Sequence, residues 1–163
     1  MSFIVEDGTK IENANAYITV SEADNYSASV NNLDWPNLTQ TQKQSKIVKA
    51  TEFIDSLNWS TGTKKSREQG LNWPRNYAYD QYGFSIANDV VPIEVKQATT
   101  QLSLIAINKT DLNAGSQIVT KEKVGSLEVE YSEMFNSGNT DEFKKIKDTL
   151  KGLIDKNNDL VRT

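Results

Sequence analysis

Apolar residues recur at three- and four-residue steps in four stretches of this chain, and residues that start or stop helices bound each stretch. The clearest is the second. Thr39 stands where an N-cap belongs, Gln42 follows at capping-box spacing, and Ile47, Ala50, Thr51, Ile54 and Leu57 form one stripe to about Asn58. A shorter helix before it is predicted to open at Ser21-Glu22-Ala23-Asp24, read as a capping box with Asp in place of the usual Glu. Ala23, Tyr26 and Val30 supply its apolar positions, Asn31-Asn32 end it, and Trp35-Pro36 breaks the chain again. A third helix is predicted from Pro92, with Val95, Ala98, Leu102, Ile105 and Ala106 inward; it should end near Lys109, leaving Leu112-Asn113-Ala114-Gly115 as loop. The last begins at Asn139-Thr140-Asp141-Glu142, where acidic side chains suit the positive helix end, and carries Phe143, Ile146, Leu150 and Leu153.

Other patterns fill the gaps. Residues 1–20 read as an extended arm with turns at Asp7-Gly8 and Asn13-Ala14-Asn15 and a β-prone run from Ala16 to Val20. Ile118–Tyr131 alternates like a hairpin turning at Gly125-Ser126, with Leu127, Val129 and Tyr131 on one face and Glu128 and Glu130 on the other. The span from Trp59 to Asp89 is irregular: basic at Lys64, Lys65 and Arg67, then dense in aromatics at Trp73, Tyr77, Tyr79, Tyr82 and Phe84. Disordered segments are poor in aromatics, so an ordered loop with a helical turn is expected there. The fold class is therefore mainly α: one domain over 1–163, a bundle of about four helices with one protruding β-hairpin and an extended N-terminal arm. Its parts are the arm (1–20), a helical core with the aromatic loop (21–112), the hairpin (117–131), a C-terminal helix (140–156) and a flexible tail (157–163).

Composition narrows the chemistry. The chain has no histidine and no cysteine, which removes Ser-His-Asp and Cys-His machinery, disulfides, and the usual metal ligands. A net charge of −4 argues against a dedicated nucleic-acid binder, which ordinarily offers phosphates a cationic face. No run of eighteen apolar residues occurs and the opening residues lack a signal-peptide pattern, so the expectation is a protein made and used in a cytoplasm.

The constellations that remain have plain readings. Glu128 and Glu130 read as a lysine-paired, solvated strand face, with Lys121 and Lys123 opposite, rather than as a two-carboxylate site. Glu6, Asp7 and Glu12 lack calcium-loop spacing, and Gly62 and Gly70 lack a phosphate-loop pattern. Lys144, Lys147 and Lys151 fall at helical spacing, but Asp148 and Asp155 interrupt the stripe. No catalytic residue, cofactor site or metal site is expected. The aromatic patch keeps three readings: core packing, a protein interface, or bases stacked beside Arg75.

Several blocks, in order, resemble a family of tailed-phage proteins. They are Phe3-Ile4-Val5-Glu6-Asp7-Gly8-Thr9, Asn13-Ala14-Asn15-Ala16-Tyr17, Ser21-Glu22-Ala23-Asp24, Ala50-Thr51-Glu52-Phe53-Ile54-Asp55, Leu71-Asn72-Trp73-Pro74-Arg75, Val91-Pro92, and the hairpin Thr120–Tyr131. The family is often labelled DnaT-like and single-stranded-DNA-binding, and is similar also to head–tail connector (adaptor) proteins. The adaptor resemblance implies a homo-oligomeric ring of twelvefold symmetry beneath the portal protein. Such a ring lengthens the DNA channel and docks the tail or further neck proteins, while packaged DNA passes without specific binding. It places the protein in the virion, and in the host cytoplasm during assembly. The candidate assembly interface is then Lys123, Leu127, Val129 and Tyr131 with Trp73, Arg75 and Tyr77, and the alternative is an accessory single-stranded-DNA binder of replication.

Overall fold

The computed structural model describes residues 2–116 and 141–155, with side chains to 107 and again from 141. Among these residues it is a mainly α, four-helix bundle: α1 Val20–Ser29, α2 Gln40–Asp55, α3 Ile93–Ser116 and α4 Asp141–Thr149. A single 3-10 turn, Trp35–Asn37, lies between α1 and α2. Between α2 and α3 run two small antiparallel ribbons, β1 Thr63–Lys64 with β2 Arg75–Asn76 and β3 Ala78–Tyr79 with β4 Ser85–Ile86. This corrects the expectation of a helical turn there. Among the described residues no helix is long and apolar enough to cross a membrane.

The stripe on α2 lands as its spacing predicts. Ile47, Ala50, Thr51, Ile54 and Leu57 are all buried, and Thr39 and Gln42 form the reciprocal capping box. On α1 the cap lies two residues earlier than Ser21. Thr19 Oγ1 accepts the Glu22 N–H at 3.1 Å, and Glu22 Oε2 accepts the Thr19 N–H at 2.7 Å. Ser21-x-x-Asp24 has the right spacing, but Asp24 is used elsewhere, accepting from Trp35 Nε1 at 2.7 Å and Lys43 Nζ at 2.8 Å. The α3 backbone continues through Leu112-Asn113-Ala114-Gly115, which was expected to be loop. With no proline in that stretch, each further residue of an established helix gains a hydrogen bond without a new nucleus. On α4, Phe143 and Ile146 are buried, followed by Leu150 and Leu153, but the helix stops at Thr149 and the chain turns at Gly152 to bring Ile154 against Trp59. The predicted hairpin Ile118–Tyr131, with Lys123, Leu127, Val129 and Tyr131, lies outside the described residues, as does the tail 157–163.

Two apolar clusters knit the bundle. The larger joins Tyr17, Phe53, Ile54, Trp73, Val95, Leu102, Phe143 and Ile146; the smaller joins Ile18, Ala23, Trp35, Ile47, Leu104 and Ile107. The arm is thus part of the core, since Ala16, Tyr17 and Ile18 are fully buried. Its turn is organised by a buried carboxylate. Glu6 accepts the N–H groups of Gly8 at 2.8 Å, Lys10 at 3.0 Å and Ile11 at 2.7 Å, so its burial leaves no charge without donors. Gly8 sits at φ +104°, where a Cβ would fall 1.9 Å from the Asp89 carbonyl oxygen. Only glycine fits that approach.

Two ion pairs tether α1 to its neighbours, Asp24 to Lys43 at 2.8 Å and Glu22 to Lys96 at 3.1 Å. Partial burial pushes both carboxyls up. Against it act the Thr19 N–H and Lys96 at Glu22, and Lys43 and Trp35 at Asp24, and both pKa values end below the usual carboxylate range. A depressed folded pKa stabilises above the unfolded value and is lost as pH falls through the folded one. Thermal melting followed from about pH 6 to pH 3 is therefore expected to fall, by a few tenths of a kcal/mol for each of these half-exposed pairs. Replacing Lys43 and Lys96 with methionine should flatten that part of the profile.

Candidate functional site

Three of the sequence blocks converge at the C-terminal end of α2. Thr51 and Asp55 are one turn apart on the same helix face. Thr51 Oγ1 accepts the Tyr17 N–H at 3.2 Å, and Asp55 Oδ1 accepts both the Tyr17 hydroxyl and the Asn72 N–H, the latter at 2.7 Å. The Asn72 amide donates to the Asp55 backbone oxygen at 2.8 Å and to Oδ2 at 3.1 Å. Trp73 N–H completes the ring by donating to the Tyr17 oxygen at 3.2 Å. Arm, α2 and the Leu-Asn-Trp-Pro-Arg block are locked together here. Burial pushes the Asp55 carboxyl up despite these donors, and burial together with Asp55 pushes the Tyr17 hydroxyl well above its ordinary value.

The same lock decides what Trp73 and Arg75 can do. Trp73 is fully buried, edge-on to Trp59 with ring centroids 5.5 Å apart. Arg75 is buried too. Its Nε donates to the Thr61 carbonyl at 2.8 Å and its Nη2 to that of Gly62 at 2.9 Å, with the guanidinium 5.8 Å from the Trp73 ring centroid. Burial lowers the Arg75 pKa. Neither residue offers its side chain to a partner at the surface.

The exposed aromatics begin immediately afterwards. Tyr77 is 81% exposed, Tyr79 50%, Tyr82 76% and Phe84 71%. Tyr77 has φ +58°, a left-handed conformation that costs a tyrosine on the order of 1 kcal/mol and sits at the junction of the two ribbons. The hairpin carrying the rings is well braced. Asp80 Oδ1 accepts the N–H groups of Tyr82 at 2.8 Å and Phe84 at 2.9 Å, and Thr61 Oγ1 accepts that of Tyr79 at 2.7 Å. A rigid backbone thus holds four large rings in water, an arrangement that marks an interaction surface more often than chance exposure does. The sequence singled out Tyr77 but missed that Tyr79, Tyr82 and Phe84 share its fate. Alternation along β3 sets Ala78 inward and Tyr79 outward, but Tyr82 and Phe84 lie between the strands, where no alternation marks them.

The electrostatics around these rings are balanced. Residues 59–90 carry four cationic and three acidic side chains. Of the four, Arg75 is committed to carbonyls and Lys65 Nζ donates to the Asn88 oxygen at 2.7 Å, leaving Lys64 and Arg67 as the exposed cations. Beside the hairpin tip opens a surface cavity of about 770 Å³, lined by Ser60, Gln81, Lys147, Lys151, Gly152 and Ile154 among others. Lys147 and Lys151 come from the predicted lysine stripe, while exposed Lys144 does not line the cavity. Among the described residues no group of three carboxylates is placed to hold a metal ion.

Comparison with known proteins adds one positive finding. The model of a family described as "Putative DnaT-like ssDNA binding protein" matches residues 1–163. No curated protein and no solved structure matches the chain.

Proposed function

We propose, for a chain that belongs to this DnaT-like family, a structural role: an adaptor subunit at the head–tail junction of a tailed phage, without catalytic activity. The observation that carries this reading is the braced hairpin with Tyr77, Tyr79, Tyr82 and Phe84 in solvent; among the described residues the cavity beside it offsets Lys147 and Lys151 with Asp148 and Asp155, so it forms no cationic groove. Exposed tyrosines on a rigid support are typical anchors of protein interfaces. In this reading subunits form a ring on the portal, extend the DNA channel and offer the tail a docking surface, so the protein resides in the virion. A phage lacking functional protein should accumulate filled heads and separate tails. Adding back the purified chain should restore joining, whereas a Tyr82→Ser and Phe84→Ser double variant should restore it at least tenfold less well. Heads and tails that join equally well without the chain would overturn the proposal.

The family's description favours a second reading, single-stranded-DNA binding, with the same rings as the stacking platform. Base–aromatic stacking contributes about 1–3 kcal/mol per base, but such proteins add a positive groove that tracks the phosphates. Lys64 and Arg67, with Lys147 and Lys151 offset by Asp148 and Asp155, provide little of one. Under the structural reading, a labelled oligonucleotide should show no saturable binding at physiological salt in fluorescence anisotropy. A tight complex that weakens steeply with salt and is lost on changing Tyr77 or Tyr82 would establish the second reading instead.

A further inference from the structure

We infer that the aromatic hairpin is one half of a self-complementary surface, on which two copies of this chain pair about a two-fold axis. The hairpin tip and the cavity beside it are neighbours. Gln81 stands in the turn between Tyr79 and Tyr82 and also lines the cavity, and Gly152 approaches so closely that a Cβ there would lie 2.5 Å from Gln81 Cβ. A protrusion and a hollow side by side on one face are what an isologous contact requires. The tip of each copy enters the hollow of the other, and every contact occurs twice. A ring is built differently, from two unlike faces, so this pairing is not the ring proposed above, although it draws on the same exposed side chains.

Size and chemistry fit this occupant. At roughly 200 Å² per aromatic side chain, the four rings leave on the order of 550 Å² of apolar surface in water, against about 800 Å² per partner for a stable interface. The cavity walls add to that area, and a cavity of 770 Å³ readily takes an aromatic ring. The groups that meet are complementary. Exposed Lys151 at the cavity offers an ammonium to a tyrosine face, exposed Asp155 offers a carboxylate to a phenol hydroxyl, and Ile154 gives an apolar floor. The one charge on the tip, Asp80, is opposite in sign to the cavity's Lys147 and Lys151.

The test uses the full chain alone. Sedimentation equilibrium over a hundredfold range of concentration should show reversible monomer–dimer association. A Tyr82→Ser and Phe84→Ser double variant should weaken that association at least tenfold while melting like the wild type, since both side chains are exposed. Because the chain has no cysteine, single variants Tyr82→Cys and Lys151→Cys can then be mixed under mild oxidation. A mixed disulfide between the two should form faster than either like pair. A chain that stays monomeric throughout, or a dimer that the double variant leaves intact, overturns the inference. So does a monomer whose double variant loses an oligonucleotide or capsid complex, because the hairpin then belongs to that occupant. No portal, tail or DNA is present in the sedimentation and disulfide experiments, so their failure leaves the adaptor reading as it was.

Discussion

Replacing Trp73 with alanine is expected to destabilise the protein by about 3–5 kcal/mol, the largest effect of any single change considered. The indole is fully buried in the larger apolar cluster, edge-on to Trp59 and beneath the Arg75 guanidinium. Its loss would leave a cavity among side chains from the arm, α2 and α3, which helix packing limits from collapsing. Trp73→Phe separates volume from polarity. The indole Nε1 is buried and has no hydrogen-bond partner among the described residues, so phenylalanine removes an unsatisfied donor while keeping most of the ring. It should cost no more than about 1–2 kcal/mol. Urea denaturation with an unchanged m-value would measure both. A Trp73→Ala protein as stable as the wild type would show that this ring is not a packing anchor. Any loss of partner binding in that variant is expected to follow loss of fold, whereas changes at Tyr77 or Tyr82 should affect binding with the melting temperature unmoved.

Asp55→Ala is the second large effect, about 3 kcal/mol, because it strips the acceptor from the Tyr17 hydroxyl and the Asn72 N–H together. Asp55→Asn keeps one oxygen for those two donors but turns an amide NH₂ towards that of Asn72, and should cost about half as much. The sign with pH is distinctive. Burial raises the folded pKa of Asp55, so the folded state favours its protonated form. Its contribution is complete below the unfolded carboxylate value and is lost as pH rises through the folded one. The wild type should therefore gain on Asp55→Asn as pH falls from neutrality, opposite in direction to the Glu22 and Asp24 pairs. Denaturation of both proteins across that range measures this. A gap that narrows on acidification would mean that the donors, and not burial, govern this carboxyl.

The residues that shaped the resemblance turn out to do related structural work. Thr51, Asp55, Tyr17, Asn72 and Trp73 come from three separate blocks and meet in one hydrogen-bonded lock. Block order along the chain was legible; that the blocks touch was not, because Tyr17 and Asp55 are joined by a contact across 38 residues. Arg75 shows the same limit. In sequence it is a cation beside aromatics, equally suited to bases, a partner or a carbonyl. Only the return of Thr61 and Gly62 against it shows that its donors are spent internally.

What the sequence determined by itself was local: the α2 stripe with its Thr39–Gln42 cap, the inward positions of α3 and α4, and the mainly α class. Those signals reside in residues three or four apart, where helical periodicity and capping chemistry act without help from elsewhere. The tertiary structure decided which cap α1 uses, since Asp24 was claimed by Trp35 and Lys43 and left Glu22 to Thr19. It also divided the aromatic segment, burying Trp73 while leaving Tyr77, Tyr79, Tyr82 and Phe84 in water. No pattern along 73–84 dictates that division. Trp73 takes a place in the core already occupied by Tyr17, Phe53 and Phe143, and the rings that follow it lie at the surface.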